Sequence, residues 1–262
     1  MSDQLIAEKI QDLLDTESLG QQIVVLESVD STNDYAKQHL DAHGAVVIAD
    51  EQTAGRGRLG RTWLSPKGKG LWMTCVLILE QSLESLQVVT LAAGLAVAQA
   101  LKEVGVHGFI SLHWPNDVFL NRKKVCGILT ESQLRGALAS KIEVGFGLNV
   151  SQREDDFPPD LRKPATAIQL EEDIVLNRNE LAAMILSKFA IQIETILTGN
   201  THRMITQWKE SSDQIERLVK VETNEKTFTG KFIDLRDNGA AVVQQDDGTV
   251  LEIVSGEIKP LR

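Results

Sequence analysis

The chain has 262 residues, 42% of them hydrophobic and 24% charged, which excludes wholesale disorder and suits one large domain, with or without a small second one. Lysine and arginine total 27 against 37 aspartate and glutamate, so the net charge is −10 and nonspecific nucleic-acid binding by the whole surface is excluded. Cys75 and Cys126 are the only cysteines, too few for a disulfide scaffold or a thiolate zinc site.

The opening MSDQLIAEKI carries no secretory pattern, and the apolar stretch Val88 to Ala98 falls short of the roughly 20 residues a membrane helix needs. A cytoplasmic protein with no membrane partner is expected. Residues 4–14 put Leu5, Ile6, Ile10, Leu13 and Leu14 on one face, which predicts a short amphipathic helix ending by Gly20. A helix-turn-helix module needs two such helices, so none is expected here, and no DNA partner. Residues 23–29 read as a strand. Asp30-Ser31-Thr32-Asn33 then supplies N-cap chemistry for a helix to about Leu40.

Residues 45–50 predict a strand that empties into a glycine- and arginine-rich loop over 52–66. The run 71–80 predicts a buried strand, and 86–101, apolar nearly all round, a buried helix. Residues 109–120 read as strand, proline corner, strand, with a hairpin turn at Asn121-Arg122-Lys123 into a strand over 124–132. In 142–150, Ile142, Val144, Phe146, Leu148 and Val150 share one face; Gly145, Gly147 and Asn149 lie on the other. A polar loop over 151–165 precedes helices around 179–197 and 201–211. From Val219, short strands punctuated by Asp237-Asn238-Gly239 and Asp246-Asp247-Gly248 indicate a small antiparallel barrel. The fold expected is therefore α+β: a mixed α/β domain over 1–215, then an all-β domain over 216–262.

Arg56, Arg58 and Arg61 crowd six residues between Gly55, Gly57 and Gly60, with Trp63 just beyond. Like charges this close repel unless an anion visits, and guanidinium forks with glycine backbone suit phosphate. An ordinary solvated loop with Arg–carboxylate pairs is the plainer reading. The loop contains no acidic residue after Glu51 to relieve the repulsion, and its glycines make it costly to order. It is expected to be disordered when empty and ordered by an anionic ligand. In His113-Trp114-Pro115-Asn116-Asp117, Asn116 and Asp117 can reach a ligand or metal with oxygen, or simply form a turn. Lys124 at the head of an apolar strand can stay solvated or point a cation into a cleft. Gly145 and Gly147 leave room for a ligand, or for a helix. His39 and His43 read as a solvated helix end, and Cys126 as an inert core thiol.

Together Ser31-Thr32-Asn33, Gln52-Thr53-Ala54-Gly55-Arg56-Gly57-Arg58-Leu59-Gly60-Arg61, Trp114-Pro115-Asn116-Asp117, Lys124 with Gly127-Ile128-Leu129, and Gly145-Phe146-Gly147-Leu148-Asn149-Val150 resemble the biotin protein ligases. Ser255-Gly256-Glu257-Ile258 near the end is similar to that family's SH3-like cap. The resemblance implies a class II synthetase-like catalytic fold and a two-step reaction. Biotin is activated by ATP with Mg²⁺ to biotinyl-5′-AMP, then transferred to a lysine of a biotin carboxyl carrier domain.

It further implies Lys124, Arg58 and Arg61 as catalytic, with Ser31, Thr32, Asn33, Gln52, Gly55, Arg56, Arg58, Lys124 and Gly127 at biotin. Arg58, Arg61, Trp63, Asn116 and Asn149 would serve the nucleotide, and Asp117 the Mg²⁺. A homodimer is compatible with the resemblance. His113 stands where many members carry lysine, and Leu59 where arginine is frequent, so one phosphate contact is expected to be lost or pH-dependent. A lipoate- or octanoate-type ligase and a noncatalytic biotin-sensing regulator are the alternatives.

Overall fold

The computed structural model describes residues 4–79, 81–82, 85–135, 138–159, 161 and 164–261. Glu80 of the expected strand, Asp160, Arg162 and Lys163 of the expected loop, and residues 1–3 lie outside the described residues.

The first helix, α1 (Ala7–Asp12), is shorter than its apolar pattern predicts. Ile6 at its N-cap has no side-chain acceptor, and Leu13 turns outward, 51% exposed. Next come β1 (Ile23–Leu26), α2 (Thr32–His39), β2 (Val46–Ala49), β3 (Gly70–Leu77), β4 (Gln81–Ser82) and α3 (Ser85–Glu103). β5 (Ile110–His113) and β6 (Asp117–Leu120) flank the cis Trp114–Pro115 peptide. Asn121 and Arg122, both at positive φ, turn the chain into β7 (Lys123–Arg135), which pairs with β8 (Leu138–Asn149). Both strands run longer than their sequence pattern. The short α4 (Ile168–Glu171) escaped the periodicity, having a single turn. The long α5 (Arg178–Leu197) and α6 (Thr201–Glu210) fall where expected.

Among the described residues, the order across the large sheet is β1-β2-β3-β8-β7-β6-β5, with β4 beside β8. β1 and β2 are parallel; the remaining pairs are antiparallel. Alternation sorts the two faces. Val46, Ile48, Cys75, Leu77, Ile142, Val144, Phe146 and Leu148 join the large core with α3 and α5, while Val47 and Val76 pack with Ala36 and Leu40 of α2. α3 has no polar face because sheet, α5 and α6 surround it. The α2 face of β8 carries Glu143, Gly145, Gly147 and Asn149, and there the sheet is left open beside the helix.

The last strands, β9 (Leu218–Glu222), β10 (Thr227–Leu235), β11 (Ala241–Gln244), β12 (Val250–Ile253) and β13 (Glu257–Pro260), form an antiparallel sheet ordered β12-β11-β10-β9-β13. Gly239 and Gly248 adopt the positive φ that their Asn-Gly and Asp-Gly turns require. The sheet is seated on the proline corner: Trp114 Nε1 donates to Gly239 O at 3.0 Å and Trp114 N to Gln214 Oε1 at 2.7 Å. Gln214 Nε2 in turn donates to Ile258 O at 3.1 Å. Trp114 is fully buried, and removing such a side chain from water contributes about 1.5–3 kcal/mol.

Candidate active site

On the open face of β7 and β8 lies a cleft of about 200 Å³. Its floor exists because two glycines admit neighbours that any Cβ would strike. A methyl on Gly145 would collide with Asn33 Oδ1, and one on Gly147 would fall 2.5 Å from Trp63 Nε1. Gly145, Gly147 and Asn149 point the same way, so at about 3.3 Å per residue they lay out a path of roughly 13 Å. Asn33 stands at one end, Trp63 over the middle, and Asn149 at the other.

The first end is a polar network on the opening turn of α2. Ser31 caps the helix, its Oγ facing Asp34 N at 3.5 Å. Gln52 Oε1 accepts from Thr32 N at 2.9 Å and Thr32 Oγ1 at 3.0 Å, while Gln52 Nε2 donates to Ser65 Oγ at 2.8 Å. Asn33 Nδ2 donates to Leu129 O at 3.2 Å and Glu131 Oε2 at 2.9 Å; its Oδ1 accepts from buried Thr74 at 2.7 Å. Ser31, Thr32 and Asn33 are themselves buried. Donors and acceptors held this rigidly suit a small polar ring or amide.

The glycine–arginine loop forms one wall. Gly57 N donates to Arg61 O at 2.7 Å and Trp63 N to Gly55 O at 2.8 Å, folding the segment into a tight turn tipped by Leu59 at φ 58°. The expectation of an unrelieved charge cluster is corrected here, because the relief comes from outside the loop. Arg56 pairs with Asp34 and Glu131, each at 2.7 Å, and Arg61 with Glu257 of β13. Arg58 Nη1 donates to Asn116 Oδ1 at 3.2 Å. Burial pushes the Arg58 pKa down, Asp117 and Glu257 push it up, Arg61 pushes it down again, and the net is a lowering. Desolvation of the cation is the largest of these effects, so Arg58 would gain from an anion.

Midway along the cleft, Lys124 Nζ lies 2.7 Å from Asp117 Oδ1 and 5.0 Å from the centre of the Trp63 ring. Its backbone is fixed by a strap, since Lys124 N donates to Pro164 O at 2.8 Å and Thr166 N to Lys124 O at 2.9 Å. The same strap holds the far end: Asn149 Nδ2 donates to Thr166 O at 3.0 Å, and Gln152 Nε2 to Asn149 Oδ1 at 2.7 Å. Asn116 Nδ2 donates to Ile128 O at 2.8 Å, joining the proline corner to β7.

Of the residues singled out in the sequence, Ser31, Thr32, Asn33, Gln52, Arg56, Arg58, Arg61, Trp63, Asn116, Asp117, Lys124, Gly127 and Asn149 all line the cleft. Gly55 does not; it lies behind the wall, backed by Trp63 O. His113 is also absent from the lining of the cleft. Its ring stacks on Phe119 with centroids 3.8 Å apart, and Nε2 lies 2.8 Å from Asp213 Oδ1 at the chain segment leading to β9. Cys126 is buried and its thiol pKa is pushed up by that burial, as an inert core thiol requires.

Sequence reasoning missed the apolar lining from Phe157 and Leu161, which come from a loop without periodicity. It noted Glu257 only as part of a terminal pattern. Nothing in spacing places β13 beside the loop. Among the described residues no group of three or more His, Cys, Asp or Glu could hold a metal ion, and Asp117 already faces an ammonium. The described residues therefore form no resident metal cage.

A sheet-borne cleft with a cationic loop over it is the site of a protein-ligase fold, and residues 25–149 match the Biotin/lipoate A/B protein ligase family. Residues 215–259 match the Biotin protein ligase C terminal domain. The bifunctional ligase/repressor BirA of Bacillus subtilis is 32% identical over 250 residues, spanning 94% of this chain and 76% of that protein. The biotin–[acetyl-CoA-carboxylase] ligase of Paracoccus denitrificans is 28% identical over 228 residues, 86% of this chain and 95% of that one. The solved structure of the biotin protein ligase from Aquifex aeolicus in complex with biotin and ATP superposes with a TM-score of 0.79 at 32% identity, covering 92% of this chain and 99% of that one. This chain belongs to the biotin protein ligase family. The resemblance carried by the motifs, with the fold and the ligase activity it implied, is borne out.

Proposed function

We propose that this chain activates biotin with ATP and transfers it to a lysine of a biotin carboxyl carrier domain of a carboxylase. In the first step a biotin carboxylate oxygen attacks the α-phosphorus of ATP, and pyrophosphate leaves. In the second the carrier's amine attacks the acyl carbon of biotinyl-5′-AMP, an amide forms, and AMP leaves with the bonding pair. Mg²⁺ enters on the phosphates of ATP as part of that substrate, and no step is routed through Asp117 as a metal ligand.

The single observation that carries this reading is the position of Lys124 and Arg58 between two unlike ends of one cleft. Ser31, Thr32, Asn33 and Gln52, with Gly127 alongside, would receive the polar ring of biotin and leave its carboxylate pointing to Lys124. Trp63, Asn116 and Asn149 would receive the nucleotide, with Arg58 and Arg61 at its phosphates. Charge then develops where fixed cations already stand, which is how such sites lower a barrier. Asp117, 2.7 Å from Lys124, would hold that ammonium until the carboxylate replaces it. Arg56 lines the same end but faces two carboxylates.

A homodimer is compatible with this reading, and neither step of the reaction uses DNA. Among the described residues no helix is long and apolar enough to cross a membrane, in keeping with a cytoplasmic site of action beside ATP and carboxylases. The test is ATP–pyrophosphate exchange with biotin, with lipoate, and with no acid. Exchange is expected with biotin alone. Exchange with lipoate and not biotin would overturn the assignment.

A further inference from the structure

Arg178 is a cation in an unfavourable place. It is the first residue of α5, at the positive end of the helix dipole, and it is only 4% exposed. Its Nη1 donates to Asp50 Oδ1 at 2.8 Å and to Gly70 O at 3.2 Å. A buried ion pair is weak evidence for stability, because apolar residues of similar volume often do as well. Its clearest use is to fix a register.

The two partners are the two ends of the glycine–arginine loop. Asp50 is the first residue after β2, and Gly70 opens β3. Gly68 N donates to Asp50 O at 3.1 Å, which closes the same neck through the backbone. On the returning side Lys69 O accepts from Val150 N at 3.2 Å and from Ser151 N at 2.8 Å, and Gly70 pairs with Asn149. The head of α5 is itself braced. Asn179, 1% exposed, accepts from Ile6 N at 2.8 Å and donates to Gln4 O at 2.9 Å. Arg178, Asp50 and Gly70 do not line the cleft, and neither step of the proposed reaction uses them.

We infer that Arg178 is a positioning residue that ties the departing and returning ends of the glycine–arginine loop to α5, leaving a ligand only the span between them to order. The consequence for substrates rests on the biotin and ATP reading of the cleft; the tie itself does not. It lies at the neck, so it holds whether the span 51–69 is open or ordered. The entropy a ligand must remove grows with the length of chain left free, and an untied neck adds to that length. Once ordered, the loop is the same with or without the tie. The effect therefore falls on binding and not on the chemical steps.

Trypsin reads the span directly, because Arg56, Arg58 and Arg61 are cleavage sites. Arg178→Met keeps the length of the side chain and removes both contacts, whereas Asp50→Ala removes one. With MgATP saturating, the biotin concentration giving half-protection should rise about tenfold in Arg178→Met and about threefold in Asp50→Ala. The double variant should be no worse than Arg178→Met, because Asp50 acts through Arg178. Saturating ligand should restore wild-type protection in all three. In exchange assays Arg178→Met should raise the KM for biotin and for ATP together, with kcat within about twofold. Ile193→Val, in the core side of the same helix, should lower the urea midpoint and leave half-protection where it was. Asp50→Ala carries the test if Arg178→Met fails to fold by circular dichroism.

Without any ligand, hydrogen exchange at the Gly68 amide should be about tenfold faster in Arg178→Met than in wild type. Unchanged Gly68 exchange, additive effects in the double variant, or an equal shift of half-protection in Ile193→Val would overturn the tie. Faster Gly68 exchange in the variant, with no protection of the wild type by biotin and MgATP, would instead overturn the reading of the cleft and leave the tie standing.

Discussion

Arg61 of the glycine–arginine loop is ion-paired with Glu257 at the head of β13, so the wall of the cleft is latched to the five-stranded sheet. Glu257 is 7% exposed and lies 3.7 Å from Lys259, a site where a carboxylate is shielded from water but not from cations. The five-stranded sheet thereby contributes to the cleft as well as covering the proline corner.

Glu257→Gln should therefore release Arg61 and loosen the phosphate side. The expected result is a KM for ATP raised about tenfold, the equivalent of about 1.4 kcal/mol, with the KM for biotin little changed. Steady-state adenylation with each substrate varied in turn checks this. An unchanged KM for ATP would mean that the latch is only structural.

Lys124 carries the central charge in the proposed chemistry. Lys124→Ala should cost about 10²–10³ in adenylation rate, the range seen when one fixed stabiliser of a developing charge is removed. Asp117→Asn should cost less, because it frees the ammonium without deleting it. Equal losses in the two variants, each with wild-type circular dichroism, would place the chemistry on Asp117 as much as on Lys124.

Most of the cleft was legible because its parts are local motifs: an N-cap turn at Ser31, a glycine–arginine run, a proline corner, and alternating glycines in β8. What the sequence could not show was where charges go once the chain folds. No acid within the loop relieves Arg56 or Arg61, yet Asp34, Glu131 and Glu257 arrive from three other elements. At His113 the sequence shows only a replacement for the family's lysine, with a phosphate contact expected to be lost or pH-dependent. At the sheet edge, on β5, its side chain meets Asp213, a partner fixed only by tertiary packing. The late start of α1 has the opposite origin, a local one: Ile6 at its N-cap carries no capping oxygen.

The His113–Asp213 pair predicts a pH effect on stability. Burial alone would raise the Asp213 pKa; His113, its Nε2 2.8 Å from Asp213 Oδ1, with backbone and Ser111 contacts, reverses this and leaves it below the ordinary value. A carboxyl depressed on folding stabilises the protein above its unfolded pKa of about 3.9, and that contribution is lost as pH falls through the folded value. Asp213→Asn should therefore be less stable than wild type at neutral pH and converge with it in acid. Urea midpoints from about pH 2 to pH 7 test this through the linkage slope. A constant difference across that range would sink the pair as the cause.

The two floor glycines allow the ends of the cleft to be separated. On Gly147 a methyl would lie 2.5 Å from Trp63 Nε1 and 2.6 Å from Cε2, and the indole can answer by lifting off the sheet. A methyl on Gly145 would meet Asn33 Oδ1, which Thr74 holds in place, and Leu129 O at 3.3 Å, a backbone atom that cannot swing away. Overpacking of this kind costs about 1–3 kcal/mol, a factor of roughly 5–150 in an equilibrium. Gly147→Ala should accordingly weaken ATP binding by that factor while biotin binding changes little, because the displaced group is the one proposed to cover the base. Gly145→Ala should do the reverse, weakening biotin by disturbing Asn33 and its neighbours Thr32 and Gln52. Calorimetric titration of each variant with biotin alone, and with a nonhydrolysable ATP analogue alone, separates the outcomes. If both variants lose both ligands equally, the two ends are one site, and the division of labour along β8 is wrong.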